Sequence, residues 1–443
     1  MVRFQLDRHL KHIVLPRIQR NDPEITELSI VVDDEFAAVV EEAGRAIRDH
    51  SFIECLSLDF QIEGVDVEFY RPLFRGISRS KSISVLSIIN SDDNLWEALA
   101  YALPNMTIRK LDIACRTSSA NSRISASLAL LSFRSSMAIA EGLVLNNTIE
   151  DLKSSGMIWP QEAMLVMAPA IFGPDSAIKR VDFSDWTPGD AVYQSIVEAL
   201  GSNRTLEELK GLDLQQELTD WWTGFSQALA NHLSALKKVV LKCVVTDDVL
   251  LSFAQALRHN STLTCLDLSF VNRGLVQRFV FLSDDERSIL IVTRRRSLAA
   301  LSQVGWRAIT RLVNDTSDIN ATRYSNHTLC DLGCWDDDDD FFRNMRFYFN
   351  DECKEAFDTT KRLLEMNKEE DKNKVARRKV IQHHFANGTF DLAANRALIG
   401  DRNKILPQTM HWFGRDKLGG SVLFDLVRKS IGLFEDANPS LLG

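Results

Sequence analysis

The residues best suited to chemistry in this 443-residue sequence are one histidine and three cysteines close together in the chain. Thiolate and imidazole groups are preferred ligands of Zn²⁺, so His327, Cys330, Cys334 and Cys353 could hold that ion. Their spacing matches no common zinc site, and Cys330 falls in a segment with the pattern of a buried strand. Free cysteine in such a segment behaves as a small hydrophobe, so we expect core cysteines and no metal.

Three other clusters of polar residues are weaker candidates. His383 and His384 could bind a metal or sense pH, but adjacent side chains on a helix point about 100° apart and do not converge. The run 294–296 of three arginines could bind phosphate or an acidic peptide, but we expect a solvated loop face. The aspartate run 336–340 lacks the spacing that wraps one calcium ion. We therefore expect no cofactor.

The common motifs of catalytic sites are missing from the sequence. It contains no Gly-x-Ser-x-Gly nucleophile turn, no Gly-x4-Gly-Lys-Ser/Thr phosphate loop, no Gly-x-Gly-x-x-Gly motif after a strand and no His-Glu-x-x-His motif. We therefore predict that the protein is not an enzyme and has no catalytic residues.

Composition and charge limit the classes of partner that we expect. The 52 Lys and Arg against 61 Asp and Glu give a net charge of −9, which disfavours nucleic acid as a partner. Charged residues interrupt the apolar windows before the roughly 20 residues that a membrane-spanning helix needs, so we expect no membrane partner. The seven cysteines are scattered and no secretory signal is visible, which favours a reducing compartment, the cytoplasm or the nucleus.

The elements that must position these residues belong to a repeat of about 28 residues. A strand pattern, apolar-x-x-apolar-x-apolar, recurs along the chain. A spacing of 41 residues between Leu111 and Leu152 indicates an insertion, and near Leu209 the register is open because the strand can also be read from Leu206. The fourth position of the pattern is occupied by Leu28, Leu56, Leu86, Leu111, Leu152, Val181, Leu209, Val239 and Leu266.

Between the strands the apolar period changes from 2 toward 3.6, as in "VLLSFAQALRHN", which predicts a helix after each strand. Each helix ends near an Asn, where we expect the chain to turn through a left-handed residue. Asn-x-Thr is also the acceptor pattern of N-glycosylation. Its fixed phase in the repeat is explained by backbone geometry, so we expect no glycan at Asn105, Asn146, Asn203, Asn260 or Asn326.

The composite pattern Ala-x-x-Leu-x-x-Asn-x-Thr-Leu-x-x-Leu-x-Leu resembles the ribonuclease-inhibitor-like class of leucine-rich repeats, over roughly residues 20–335. The resemblance implies an α/β solenoid, a horseshoe with parallel strands on its concave face and helices on its convex face. The last repeats and the segments "LLEMNKEEDKNKVARRKVIQHHF" and "LPQTMHWFGRDKLGGSVLFDLVRKSIGLF" resemble the ending of a lineage-expanded family of leucine-rich-repeat proteins in single-celled algae. That resemblance implies no catalytic residues.

The predicted domain organisation has three segments. Residues 1–24 form an N-terminal cap or first repeat helix, because a solenoid needs a polar outer end. Residues 25–335 form the leucine-rich-repeat solenoid. Residues 336–443 form an acidic linker and a helical C-terminal module, in which "SVLFDLVRKSIGLF" is an amphipathic helix.

The concave face is the best candidate binding surface, since strand residues between the buried leucines line one extended area. The face is polar and mixed in charge, with a recurring acidic column, and it is equally consistent with ordinary solvated strand residues. Lys210 is the alternative to Asp213 where the register is open. The candidate partner-binding residues are Asp112, Asp151, Lys153, Arg180, Asp182, Asp213, Lys238 and Asp267.

Tryptophan offers a second kind of candidate. Exposed Trp side chains can anchor a partner, and Trp159, Trp186, Trp221 and Trp222 fall in predicted loops or at helix starts. The same four residues could instead cover helix ends.

These patterns are compatible with three functions. The first is a non-catalytic scaffold that binds a protein partner through the concave face or its loops. The second is a regulator of a small GTPase, a role of some members of this repeat class, which would need an exposed side chain such as Arg116 or Asn121 on an early loop. The third is a structural spacer, which self-association would favour. The oligomeric state is left open.

Overall fold

A computed structural model gives the fold, and it divides the chain into two compact units. The first unit comprises residues 1–245, 262–298 and 332–337, and the second comprises 246–261, 299–331 and 338–443. No helix in the described part of the chain is long and apolar enough to cross a membrane. The structure describes residues 4–6, 15–33, 39–62, 64–90, 92–115, 129–130, 132–155, 157–186, 188–214, 219–231, 234–243, 247–269, 303–317, 319–332 and 351–386.

The first unit is built on parallel strands. Ten of them form one open sheet in the order β1-β2-β3-β4-β5-β7-β9-β10-β11-β12, and β6 pairs with β8 separately. The strands are β1 Phe4–Leu6, β2 Glu27–Val32, β3 Cys55–Phe60, β4 Val85–Asn90, β5 Lys110–Cys115, β6 Ala129–Leu130, β7 Asp151–Ser155, β8 Met157–Ile158, β9 Arg180–Trp186, β10 Glu208–Leu214, β11 Lys238–Cys243 and β12 Cys265–Ser269.

Helices alternate with these strands, as the change of period predicts. The described helices of the first unit are α1 Leu15–Gln19, α2 Val40–Asp49, α3 Val67–Arg79, α4 Asp93–Ala102, α5 Phe133–Leu145, α6 Gln161–Phe172, α7 Asp190–Leu200 and α8 Thr219–Ala230. A 3₁₀ turn, Leu103–Asn105, follows α4. The second unit contains α9 Asp247–Leu257, α10 Gln303–Val313, α11 Ile319–Arg323, α12 Asp351–Asn367, α13 Lys372–Val380 and a π-helical segment, Ile381–Ala386.

The strand register matches the predicted repeat. Leu28 pairs with Leu56 and Leu56 with Leu86, and the alignment continues without a break to Val239 and Leu266. All nine reference residues are at most 2% exposed. The arrangement is an α/β solenoid-like array of strand and helix repeats, in which one leucine column per strand forms the core.

From β2 to β12, neighbouring strands of the main sheet are connected by the same hydrogen-bond motif. The carbonyl of Thr26 accepts the backbone N–H groups of Glu54 and Cys55, at 2.8 and 3.2 Å. The carbonyl of Glu54 accepts from Ser84 and Val85 in the same way, and the motif recurs through to β12. One carbonyl therefore fixes the start of the next strand, which holds the repeats in a single register.

The helices pack on the buried face of the sheet. Phe60 of β3 contacts Tyr70 of α3, with ring centroids 5.5 Å apart, and Phe172 of α6 lies 6.3 Å from Phe183 of β9. Neighbouring helices also approach closely, since a Cβ atom on Gly76 of α3 would lie 2.0 Å from a backbone oxygen of α2. The opposite face of the sheet is not used in this packing, because its residues in β2–β5 are half-exposed or exposed.

At the corners, where a helix ends and the next strand begins, we predicted a left-handed backbone, and Asn146 does not have it. Asn146 has φ −91° and ψ 125°, which is extended backbone. In the described residues, only Asn21, Gly64 and Gly211 have positive φ. Asparagine is used here for its side chain: the Nδ2 group of Asn146 donates to the carbonyls of the preceding corner, and its Oδ1 accepts the N–H groups that open the next strand.

The second unit uses the same asparagine corner twice. Asn326 donates to the carbonyls of Leu257 and Asn260, at 2.7 and 2.9 Å, and its Oδ1 accepts two backbone N–H groups. Asn367, the last residue of α12, donates to the carbonyls of Asn326 and Leu329. Helix α10 packs against α9 and α12, with Trp306 and Phe357 edge to face at 5.0 Å.

A buried lysine ends this series of corners. The Oδ1 of Asn367 accepts from the Nζ of Lys379 at 2.7 Å, in the place where earlier corners accept backbone N–H groups. Lys379 also donates to the carbonyl of Val313, and its Nζ lies 3.3 Å from Nδ1 of His327. The side chain is 1% exposed, and burial lowers the pKa of Lys379 to about 7.

Candidate functional site

The face of the sheet away from the helices, which we call the open face, carries two columns of side chains one residue before and after each reference leucine. The structure places seven of the eight predicted partner-binding residues in these columns. The first column is Glu27, Cys55, Val85, Lys110, Asp151, Arg180, Glu208, Lys238 and Cys265. The second column is Ser29, Ser57, Ser87, Asp112, Lys153, Asp182, Lys210, Val240 and Asp267.

Asp213 is the exception. The register pairs Lys210 with Asp182 and with Val240, so Lys210 occupies the second column. The register then shifts between Lys210 and Leu212, where Gly211 has φ 84°. This bulge moves Asp213 out of the column that we predicted for it. Glycine tolerates that conformation without strain, and the extra residue is the reason for the ambiguous pattern in the sequence.

The charges on the open face alternate in sign from strand to strand. In the main sheet, the five strands β5, β7, β9, β10 and β11 begin at two like charges, and successive strands reverse the sign: Arg109-Lys110, Glu150-Asp151, Lys179-Arg180, Glu207-Glu208 and Lys237-Lys238. The second column takes the opposite sign on the first four of these strands, as Asp112, Lys153, Asp182 and Lys210. The recurring acidic column that the sequence suggested is therefore one half of an alternating pattern.

Ion pairs join neighbouring strands across this pattern. Arg180 Nη2 lies 2.6 Å from Asp151 Oδ2, and Lys153 Nζ lies 3.4 Å from Asp112 Oδ2. Hydrogen bonding to Asp151 raises the pKa of the Arg180 guanidinium. The side chains of Lys153 and Arg180 stay 44% and 50% exposed.

Two further pairs lie at the start of the strands. Lys179 Nζ is 3.0 Å from Glu150 Oε2, and Lys237 Nζ is 3.1 Å from Glu207 Oε1. Exposed pairs of this kind contribute little stability, about 0–1 kcal/mol each, so their main effect is to fix the positions of the charges. The open face thus has ordered charges of both signs that cancel over short distances.

The first strands of the open face are different in character. Their second column is Ser29, Ser57 and Ser87, all half-exposed. Beside these hydroxyls lie the half-exposed apolar side chains of Val85 and Ile89. The open face therefore combines a part with few charges, β2–β4, where Glu27 and Asp59 are the carboxylates, with a charged part, β5–β11.

Of the four zinc candidates, the structure describes the side chains of His327 and Cys330. His327 contacts Lys379 and the carbonyl of Arg323, and burial together with the nearby lysine lowers its pKa to about 4. Cys330 is half-buried, Cys334 lies outside the described residues, and Cys353 is in α12. Among the side chains that the structure describes, no group of three or more His, Cys, Asp or Glu could hold a metal ion.

The adjacent histidines have different surroundings. His384 is buried, with Nε2 2.8 Å from Thr322 Oγ1, and His383 is half-exposed. Their rings lie edge to face at 5.0 Å.

Three of the four candidate tryptophans belong to the core and are not exposed anchors. Trp159, Trp221 and Trp222 are at most 4% exposed, and Trp159 Nε1 donates to Ser154 Oγ at 2.9 Å. Trp221 stacks on Phe225 with centroids 4.7 Å apart. The interpretation of these three residues as partner anchors is wrong, because their side chains face the core. Trp186 lies in β9.

The glycosylation pattern also receives a structural explanation. Asn203, Asn260 and Asn326 are at most 4% exposed, and the amide of Asn203 donates to the carbonyl of Gly173. An amide nitrogen engaged in this way inside the fold cannot carry a glycan.

The remaining candidates lie outside the described residues: Arg116, Asn121, the arginine run 294–296, the aspartate run 336–340 and the segment 421–434.

Comparison with known proteins identifies no family for this chain. No model of a known protein family matches it, and no curated protein matches it. Among solved structures, the chain is similar to actin-binding site 2 of leiomodin-1, with 14% identity over 51% of this chain and 91% of that one and a TM-score of 0.20. It is also similar to a protein from Bacteroides fragilis, with 10% identity over 58% and 71% of the two chains and a TM-score of 0.26. TM-scores this low do not establish a shared fold, so these likenesses support no statement about function.

Proposed function

We propose that this chain is a non-catalytic leucine-rich-repeat protein of the ribonuclease-inhibitor-like class, with a helical C-terminal module, that binds a protein partner through the open face. One observation supports this above all others. Nine strands aligned at their reference residues present two columns of side chains, most of them half-exposed or exposed, and the charges in those columns alternate in sign from β5 to β10.

The order of the charges indicates the kind of recognition. Cross-strand ion pairs hold Lys153 and Arg180 in place before a partner arrives, which lowers the conformational entropy lost on binding. Opposite charges lie one strand apart, about 4.8 Å, so their fields cancel at longer range. Such a face selects a protein surface with matching charges of both signs and gives no advantage to a polyanion such as nucleic acid.

The part of the open face with few charges, β2–β4, offers a place for apolar contact. Val85 and Ile89 lie half-exposed on either side of Ser87 in β4. Interfaces obtain much of their affinity from a few apolar contacts that become fully buried, surrounded by polar groups that set the register. We place the apolar contact at β4 and the charge register at β5–β11.

The experiment compares two variants of equal net charge. Lys153→Glu with Arg180→Glu reverses two cations of the open face, and Arg45→Glu with Arg75→Glu reverses two exposed cations on α2 and α3. The immobilised chains are exposed to lysate of the source cell and the retained proteins are identified by mass spectrometry. We expect a protein that the native chain and the helix variant retain and the open-face variant loses. The same set of proteins on all three chains would contradict the proposal.

A further inference from the structure

The charges of the open face are antisymmetric about one line of the sheet. β7 and β9 are adjacent, and on either side of the boundary between them Asp151 is paired with Arg180 and Lys153 with Asp182. One strand further out, Lys110 and Asp112 of β5 correspond to Glu208 and Lys210 of β10. On the two strands nearest the line on each side, every column position therefore has its opposite charge at the same level on the other side.

This antisymmetry is the condition for binding a second copy of the same surface. In a two-fold symmetric interface, residue i of one copy meets residue j of the other, and j meets i. A two-fold axis along the boundary between β7 and β9, parallel to the strands, places β7 of one copy over β9 of the other and β5 over β10. Asp151 then meets Arg180, Lys153 meets Asp182, Lys110 meets Glu208, and Asp112 meets Lys210.

We propose that the open face binds a second copy of this chain in that arrangement. The proposal rests on the proposed function, because it names the partner of the same surface. The two copies form an isologous dimer in which the alternating charges interlock.

The outer strands are compatible with this axis. β4 then lies over β11 and β3 over β12, so that Val85 and Ser87 meet Lys238 and Val240. Cys55 and Ser57 meet Cys265 and Asp267. None of these pairs brings like charges together.

The two neighbouring axes match the charges less well. An axis between β9 and β10 would set Asp112 against Asp267, which are both acidic. An axis between β5 and β7 would place β9 over β4, so that Arg180 and Asp182 meet the uncharged Val85 and Ser87. The boundary between β7 and β9 is therefore the axis that the charges favour.

The ion pairs within one copy leave N–H donors that can also contact a second copy. The contact from Arg180 to Asp151 is made by one guanidinium nitrogen, and half of the Arg180 side chain is exposed. A guanidinium carries five N–H donors, so the same group can also reach a carboxylate of the second copy. Lys153 likewise has three donors and a side chain that is 44% exposed.

The test uses two variants, neither of which should dimerise alone but which should form a heterodimer when they are mixed. An acidic variant, Lys153→Glu with Arg180→Glu, has carboxylates at all four central positions, and a basic variant, Asp151→Lys with Asp182→Lys, has cations at all four. Sedimentation velocity on the purified full chain should show a dimer that dissociates on dilution. Each variant alone should be a monomer, with its dissociation constant raised by about a hundredfold or more. An equal mixture should form a heterodimer, because every central contact then joins opposite charges.

The control is Arg45→Glu with Arg75→Glu, which should dimerise like the native chain. A native chain that stays monomeric through the micromolar range would overturn the self-association. The proposed function would then still be decided by the captured protein and its dependence on the open face. A dimer that neither variant weakens would place the contact elsewhere. Two variants that are folded by circular dichroism but do not associate in the mixture would overturn the antisymmetric pairing.

Discussion

Asparagine side chains at the helix-to-strand corners connect successive repeats residue by residue. Asn146 satisfies two carbonyls of the preceding corner through Nδ2 and two N–H groups of its own strand start through Oδ1. Asn203 and Asn326 make the equivalent bonds. The recurring Asn-x-Thr identifies these residues in the sequence but does not predict their backbone, because asparagine is favoured both in left-handed turns and as a bridging amide.

Replacing one of these amides should be costly. Asn146→Ala removes the acceptor of the Thr148 and Ile149 N–H groups and one donor to each of two carbonyls, and we expect a loss of about 2–4 kcal/mol in the free energy of unfolding. The adjacent Asn147 is exposed, so Asn147→Ala is a matched control with an expected change below about 0.5 kcal/mol. Urea denaturation followed by circular dichroism measures both. Equal effects of the two substitutions would show that the amide does not hold the corner together.

Lys379 is the residue that no sequence pattern identified. Its three contacts are with Val313, His327 and Asn367, which come from three separate segments. The His327 Nε2–H group must donate to the carbonyl of Arg323, so Nδ1 is free to accept from Lys379. This requires a neutral imidazole, in agreement with the lowered pKa of His327. Lys372 lies nearby and donates to the carbonyl of Asn367.

The buried lysine should make the stability of the second unit depend on pH. Burial lowers its pKa to about 7 from the ordinary 10.5, so the unfolded chain binds the proton more tightly. The free energy of unfolding should therefore rise with pH between about 7 and 10, by up to about 1.4 kcal/mol per pH unit from this group.

The comparison of variants isolates that contribution. Lys379→Met should remove the pH-dependent part, whereas Lys374→Met, at a half-exposed lysine of α13 paired with Glu369, should keep it. Guanidinium denaturation at pH 7 and pH 9 gives the change in the free energy of unfolding with pH for each variant. If Lys379→Met and the native chain respond alike to pH, the lysine does not titrate in this window.

The strand register is the feature of the elements that the sequence predicts best. The apolar-x-x-apolar-x-apolar pattern identifies the buried position of every strand from β2 to β12 in the main sheet, because one face of each strand must be apolar. It fails at β10, where Gly211 adds one residue to the strand. Lys210 therefore occupies the place in the second column that was predicted for Asp213. A bulge changes the face on which a residue lies without changing the apolar composition, so the pattern alone cannot detect it.

Close packing between helices makes a prediction at the same scale. In Gly76→Ala the new methyl group would meet the carbonyl oxygen of Gly44 at 2.0 Å, so α2 and α3 must move apart. We expect the thermal midpoint, Tm, to fall, with a cost of about 1–3 kcal/mol or more. Gly201→Ala is the matched control, because its methyl group has no neighbour closer than 3.4 Å and its Tm should be unchanged or slightly raised. An unchanged Tm in Gly76→Ala would show that the helices are not in tight contact.

For the whole molecule, the alternation of charge along the sheet is the property that no single repeat contains. The doublets at the strand starts are visible in the sequence, but their sign matters only once the register places Lys179-Arg180 beside Glu150-Asp151 and Glu207-Glu208. The sequence therefore predicts the surface and most of its residues, whereas the rule that orders their charges becomes visible only when the strands are aligned.

The most direct measurement of the central claim is lysine footprinting by acylation and mass spectrometry, in source-cell lysate and in dilute purified protein. The open face contains Lys110, Lys153, Lys210 and Lys238, and exposed Lys81 and Lys368 lie elsewhere in the chain. If a protein covers the open face, the four lysines of the columns should lose reactivity in lysate while Lys81 and Lys368 keep theirs. Unchanged reactivity of the four column lysines, or protection confined to the other two, would contradict the assignment of the open face as the binding surface.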